Sequence, residues 1–321
     1  MKFSAPRFGL ELIDQEIEAH LSKKSGRRIV LTDQNFTTQH QDVEVVDARR
    51  TRPEDLAEAP PTHVLYAVDQ DDLGLPFILW LVEHNIKFKP IWTALPARWI
   101  HKDTRARTTI ESEYHFQRSA GFAKFDYGYG DAENICQALG ATKELDGAYV
   151  EVGCFKGSSG GVALKYMQEA GIYRPSYFLD VFEGFTYPEA RSSTDTVWKD
   201  SHWTEGLEVV ANRLKRFEHR LLGRPVNVLK NNIITDELPP EIERIVVANL
   251  DVDQLEAVYW GLVKLAPKIA IGGILIVEDP GHTPLLIGAQ AALDIFLRSE
   301  TARDFLPIYM QSGQYFLVRT R

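Results

Sequence analysis

From about residue 118 to the C-terminus, short apolar runs alternate with longer stretches whose apolar positions recur every three or four residues. The runs 149–152, 176–182, 226–230, 244–252 and 272–279 read as strands. The segments 131–145, 158–170, 204–221, 255–269 and 286–298 carry helical spacing. Strands alternating with helices predict an α/β fold with a Rossmann-like, doubly wound, mostly parallel sheet. Two closing runs, FLPIYM and YFLVRT, add a strand pair that suits one antiparallel edge and brings the sheet to seven strands.

The first part of the chain has a similar rhythm on a smaller scale. Phe8, Leu10, Leu12, Ile13, Ile17 and Leu21 mark an amphipathic helix. Strand-like runs follow at 28–33, 43–48 and 62–68, then a helix-like 74–85 and a strand at 87–92. The polar, basic segment 101–117 is either a boundary or an ordered helix joining two parts. The expected domains are therefore 1–112, a smaller α/β unit, and 113–321.

Composition narrows the partners. A net charge of −9 and a pI near 5.5 disfavour nucleic acid and anionic membrane. Cys136 and Cys154 form no metal or disulfide pattern, which points to a reduced, cytoplasmic setting. The N-terminus lacks the apolar core of a signal peptide, and LGLPFILWLVEHN is too short and interrupted to span a bilayer.

The candidate chemistry lies where strands end. YVEVGCFKGSSGG follows the strand at 149–152. It lacks the G-x-G-x-x-G of pyrophosphate loops and the Gly-Lys-Ser/Thr of P-loops. What remains, acid-x-Gly-x-x-x-Gly, is the pattern of S-adenosylmethionine sites, in which an acid holds the cationic methionine end; a purely structural glycine turn is the alternative. Gly153 and Gly157 would let the backbone approach a ligand closely. Ser158 and Ser159 suit the N-cap of the next helix. Asp180 ends the next strand, where a carboxylate takes both hydroxyls of a ribose or simply faces solvent.

A third group is more specific. Asp251 and Asp253 end one strand, and Glu278 and Asp279 end its expected neighbour. Asp251, Glu278 and Asp279 should converge, and three close carboxylates repel unless protonated or neutralised by a cation. Oxygen donors without a Cys or His pattern favour Mg²⁺ or a similar ion. The alternative is that some of these acids cap helices. His282 is a second candidate base beside Asp251, or a loop histidine without a catalytic role. The segment 184–204, with Tyr187, Trp198, His202 and Trp203, covers a polyol or packs on the core; 119–130, with Tyr127 and Tyr129, lines the site or shields the sheet.

These pieces resemble the macrocin O-methyltransferase (TylF-like) family of class I S-adenosylmethionine-dependent methyltransferases. The matching stretches are YVEVGCFKGSSG, DVFEGF, DELPP, LDVDQLEAVYWGLVKLAPKIAIGGILIVEDPGH and GAQAALDIF. The resemblance implies that Glu151, Gly153 and Gly157 contact the methionine part, with Cys154, Phe155 and Ser158 in the same loop. It implies that Asp180, flanked by Val181 and Phe182, holds the ribose, and that Asn231 and Asp236 lie near adenine. Asp251, Glu278 and Asp279 would hold the divalent metal; Asp251 would also border the cofactor and act as general base. Glu278, Asn231 and Pro280 depart from the family's usual Asp, Gly and Tyr, which bears on metal affinity and acceptor fit. Residues 1–110 fall outside the resemblance.

The implied activity is metal-dependent O-methylation of a sugar, glycoside or other small natural product. Methylation at N, C or a catechol-like acceptor is the runner-up; a silent methyltransferase-fold binding module is the reading from another class. The expected partner is a small-molecule acceptor, with no nucleic acid and no membrane. The N-terminal unit would serve acceptor recognition or assembly as a homodimer.

Overall fold

The computed structural model describes residues 10–68, 71–91, 103–121, 128–193, 195–196, 198–282 and 284–321. Phe8, Trp92, Tyr127 and residues 101–102, which enter the expectations above, lie outside them. The chain divides into two compact units, Met1–Thr104 and Arg105–Arg321.

The first unit holds four parallel strands in the order β2-β1-β3-β4: β1 Arg28–Thr32, β2 Glu44–Asp47, β3 His63–Ala67 and β4 Lys87–Pro90. Alternation along the strands splits its core in two. Ile29, Leu31, Val64 and Tyr66 pack with Phe77, Trp80 and Leu81 of helix α2 (Asp71–Glu83). Val30, Leu65 and Ala67 pack with Ile13, which lies in α1 (Leu10–Glu16), and with Ile17 and Leu21 of the π-helical turn that follows it.

Helix α3 (Thr104–Ser119) starts at the division, so residues 104–117 of the segment read as a boundary or a joining helix are an ordered helix. The division falls before residue 112 because α3 is tied into the second unit: Gln117 Nε2 donates to the Ser158 carbonyl at 2.9 Å, and buried Glu113 pairs with Arg216.

Beyond α3 and α4 (Tyr129–Ala141) lies a seven-stranded sheet in the order β10-β11-β9-β8-β5-β6-β7. Its strands are β5 Ala148–Val152, β6 Ser176–Asp180, β7 Val226–Lys230, β8 Ile245–Leu250, β9 Ile269–Val277, β10 Phe305–Tyr309 and β11 Tyr315–Arg319. The helices between them are α5 Ser158–Ala170, α6 Pro188–Ser192, α7 Leu207–Lys215, α8 Leu255–Leu265 and α9 Ile287–Phe296. Strand β11 is the antiparallel member, but it is not an edge: it inserts between β9 and β10 and runs against both.

Strands β5 and β8 are buried along their whole length, as central parallel strands must be. Val150, Val152, Ala248 and Leu250 pack into one core with α8 and α9. Tyr149, Glu151 and Phe178 take the opposite alternation; the Tyr149 and Phe178 rings lie 5.8 Å apart. Each fully buried side chain of this size stabilises the fold by roughly 1.5–3 kcal/mol.

Connections leave β5 toward β6 on one side and return to β8 on the other, so the strand order reverses between β5 and β8. In an open α/β sheet that reversal opens a crevice at the carboxyl ends. The register aligns those ends: Val152 pairs with Leu250, and Leu250 with Val277. Among the described residues, no helix is long and apolar enough to cross a membrane.

Candidate active site

The glycine loop leaves β5 directly at the crevice. Gly153 has φ +87°, and a Cβ there would stand 1.6 Å from the Asp251 carbonyl oxygen. The space expected to admit a ligand is filled by the neighbouring strand's backbone, so glycine here lets β5 and β8 close together. Gly157, at φ +81°, is itself the N-cap of α5, and Ser158 is the first helical residue, which corrects the expected serine cap. Cys154 is buried, and burial pushes its thiol well up.

Glu151 is fully buried beneath the loop. Its oxygens accept from Ser159 Oγ at 2.5 Å and Tyr149 OH at 2.6 Å. Burial raises its carboxyl to about 7, against the lowering effect of those two donors. Ser159 therefore serves Glu151 rather than the helix end.

Asp180 is the last residue of β6. Its Oδ1 accepts from the Phe182 N–H at 2.7 Å and its Oδ2 from the Phe155 N–H at 2.8 Å. Each carboxylate oxygen still has acceptor capacity for an incoming hydroxyl. Phe155 and Phe182 both carry positive φ, 45° and 58°, beside Val181. Such conformations cost energy in non-glycine residues and cluster at functional sites. Asn231 donates its backbone N–H to the Asp180 carbonyl at 2.9 Å and its Nδ2 to the Glu237 carbonyl at 3.0 Å; its Oδ1 is buried without a protein partner. Asp236 is exposed, and its carboxylate accepts from the Asn232 N–H and the Thr235 hydroxyl of its own turn.

Asp251, Glu278 and Asp279 are brought together as expected from the strand ends. Asp251 N–H donates to the Val152 carbonyl at 2.9 Å and Glu278 N–H to the Leu250 carbonyl at 3.0 Å. The three can each present a carboxylate oxygen with all of these atoms within 4.8 Å of one another. Glu278 and Asp279 are 5% and 3% exposed, whereas Asp251 keeps part of its surface open. Burial pushes the carboxyls of Asp251 and Glu278 well up, with repulsion from Glu278 and Asp279 added on Asp251 and from Asp131 and Asp279 on Glu278; burial raises Asp279 to about 7. Glu278 Oε2 is buried and makes no close hydrogen bond, though the Gln314 side chain lies near enough to lower its carboxyl. A desolvated acceptor inside a repelling all-oxygen cluster fits a hard divalent cation such as Mg²⁺.

His282 Nε2 lies 3.0 Å from the Ser312 carbonyl. A carbonyl only accepts, so this nitrogen carries the proton and Nδ1 is the acceptor in the neutral ring. In the segment 184–204, His202 stands among aromatic rings: Trp198 at 4.8 Å, Phe185 at 5.4 Å and Phe155 at 5.5 Å. Trp198 Nε1 donates to Asp253 Oδ1 at 2.8 Å. Trp203 is exposed and Tyr187 is partly buried, with its hydroxyl pKa pushed up by burial.

Two residues escaped the sequence reading. Asp131, buried at the start of α4, accepts from the Gly128 N–H at 2.6 Å and raises both Glu278 and Asp279 by its charge. Its only local signal is an acid in a helix's first turn, which reads as a cap. Asp253, noted only as Asp251's neighbour, donates its backbone N–H to Asp279 Oδ2 at 2.9 Å.

A family model described as TylF, macrocin-O-methyltransferase, matches residues 132–303. No curated protein matches the chain. Among solved structures, the O-methyltransferase NovP aligns at 19% identity with a TM-score of 0.54, covering 68% of this chain and 98% of its own. The calicheamicin methyltransferase CalS11 aligns at 14% identity with a TM-score of 0.48, covering 70% of this chain and 93% of its own.

Proposed function

As the chain belongs to the TylF macrocin-O-methyltransferase family and is an O-methyltransferase, we propose that it moves the methyl group of S-adenosylmethionine to a hydroxyl of a sugar, glycoside or other small natural product, with Asp251, Glu278 and Asp279 holding a divalent cation. The observation that carries this reading is the convergence of those three acids beside the glycine loop.

S-adenosylmethionine, when bound, supplies the electrophilic methyl group, and a cation at the acids lowers an acceptor hydroxyl's pKa. The chain's own residues do the rest. Asp180, held by two backbone N–H groups, receives the ribose hydroxyls on its remaining lone pairs. Glu151 stiffens the loop from below through Ser159, the second residue of α5. Asn231 offers its buried Oδ1 on the adenine side. Asp251, the accessible member of the trio, takes the hydroxyl proton as the new carbon–oxygen bond forms and the carbon–sulfur bond breaks. His282 Nδ1 is the second acceptor on that rim. A polyol suits such a site because its hydroxyls donate to carboxylates and its C–H faces stack on rings such as exposed Trp203.

The test is transfer of labelled methyl from S-adenosylmethionine to a panel of glycosides, with Mg²⁺ and with EDTA. The proposal expects turnover that needs the cation. Full turnover in EDTA contradicts the cation assignment, and methylation confined to amines contradicts the acceptor class.

A further inference from the structure

We infer that Trp198 is a positioning residue for the acid trio: its indole N–H fixes the Asp253 side chain, and the Asp253 backbone N–H fixes one oxygen of Asp279. The inference rests on the reading that the trio holds a divalent cation.

Asp253 stands where few aspartates rest unaided. Its φ is +57°, a left-handed conformation that costs an ordinary residue energy. Its carboxylate also lies within the fields of Asp279 and Asp195, which repel it. The Trp198 N–H, 2.8 Å from Oδ1, offsets that repulsion at one defined point. The Asp253 N–H then reaches Asp279 Oδ2 at 2.9 Å. This leaves Asp279 with an oriented carboxylate instead of a freely turning one.

The donor's chemistry matters as much as its place. A lysine or arginine beside Asp253 would bring positive charge to the rim and repel a cation. An indole N–H only donates and carries no charge, so it holds the acid while leaving the site's negative potential intact. The indole is itself held. His202 packs on it at 4.8 Å, and Phe155 and Phe185 pack on His202. Phe155 belongs to the glycine loop, so the donor is referenced to the same rigid element that shapes the crevice.

Trp198→Phe keeps an aromatic ring and deletes only the donor. Calorimetric titration of the full chain with Mg²⁺ should show binding weakened roughly 10-fold, the lower end of losses from partners of metal ligands. Binding of S-adenosylhomocysteine should stay at the wild-type value, while the unfolding temperature falls as Asp253 loses its donor. Because Trp198 acts through Asp253, Trp198→Phe should cost nothing further in an Asp253→Gly background, where glycine adopts the left-handed φ without strain. If Trp198→Phe does not fold, Asp253→Gly alone carries the test, and it too should weaken Mg²⁺. Unchanged Mg²⁺ affinity in either variant, or an equal loss from Trp198→Phe in both backgrounds, overturns the inference. Absence of Mg²⁺ binding to the wild-type chain overturns it together with the cation reading. Wild-type binding with an unaffected variant overturns it alone.

Discussion

Asp47 closes β2 of the first sheet, and Asp279 lies two residues past the end of β9 of the second. Arg49 grips both oxygens of Asp47 at 2.8 Å and holds its carboxyl down at about 2. Asp279 receives backbone N–H groups of Asp253 and Val252 rather than a cationic side chain, and burial raises it to about 7. Both are acids at the carboxyl ends of parallel strands, the place where such sheets bind ligands. The first has its counter-charge built into the chain; the second sits among other buried acids. A strand-end acid therefore marks a site only when the fold withholds the partner that would neutralise it.

The comparison breaks most visibly on activity. Replacing Asp251 by Ala should lower methyl transfer by about 10²–10⁴-fold, the range for losing a positioned acid–base group. Asp47→Asn should leave transfer at the wild-type rate. Single-turnover assays of the two variants side by side check this, and an active Asp251→Ala sinks the assignment of Asp251 as base.

Gly153→Ala should come next. The left-handed φ alone costs roughly 1–2 kcal/mol, and the added methyl must displace the Asp251 carbonyl. A lower unfolding temperature and loss of S-adenosylhomocysteine binding are expected together. A variant as stable as wild type would mean that β5 and β8 do not close as described.

Stability against pH sharpens the contrast, because the two acids have opposite signs. Asp279's folded value of about 7 lies above the ordinary carboxyl value near ~4. Its contribution in the metal-free chain is complete below about pH 4 and is lost as pH rises through about 7. Asp47, held at about 2, contributes stability above about pH 4 and loses it as pH falls toward about 2. In EDTA, Asp279→Asn should flatten the decline in unfolding temperature between about pH 4 and 7. Mg²⁺ should restore the wild type above that window. A wild-type unfolding temperature that climbs through it with no change in Asp279→Asn would refute the burial of that acid.

The smallest effect belongs to the paired acid. Asp47 is partly exposed, so Asp47→Asn should cost no more than about 1 kcal/mol near neutral pH, as for surface ion pairs. A denaturant titration reads it.

How far the site was legible follows from what is local. Asp180, Asp251, Glu278 and Asp279 each end an apolar run, so a linear pattern locates them and the rule for parallel sheets gathers them. The place of β11 between β9 and β10 is not local: nothing in YFLVRT says which neighbour it joins. Gly157 as helix cap was missed because the left-handed turn leaves α5 to begin one residue after a glycine, with serines beside it that look like caps. The link from Trp198 to Asp253 spans 55 positions, and Ser159 to Glu151 depends on how α5 lies over β5. Contacts of that kind come from packing, and periodicity does not encode them.

The most direct measurement of the central claim is calorimetric titration of the chain with S-adenosylhomocysteine and with Mg²⁺, in wild type and Asp279→Ala. The account predicts that the wild type binds both, and that Asp279→Ala keeps the nucleoside ligand while losing the cation. Mg²⁺ bound equally well by Asp279→Ala, or no binding of S-adenosylhomocysteine by the wild type, would contradict it.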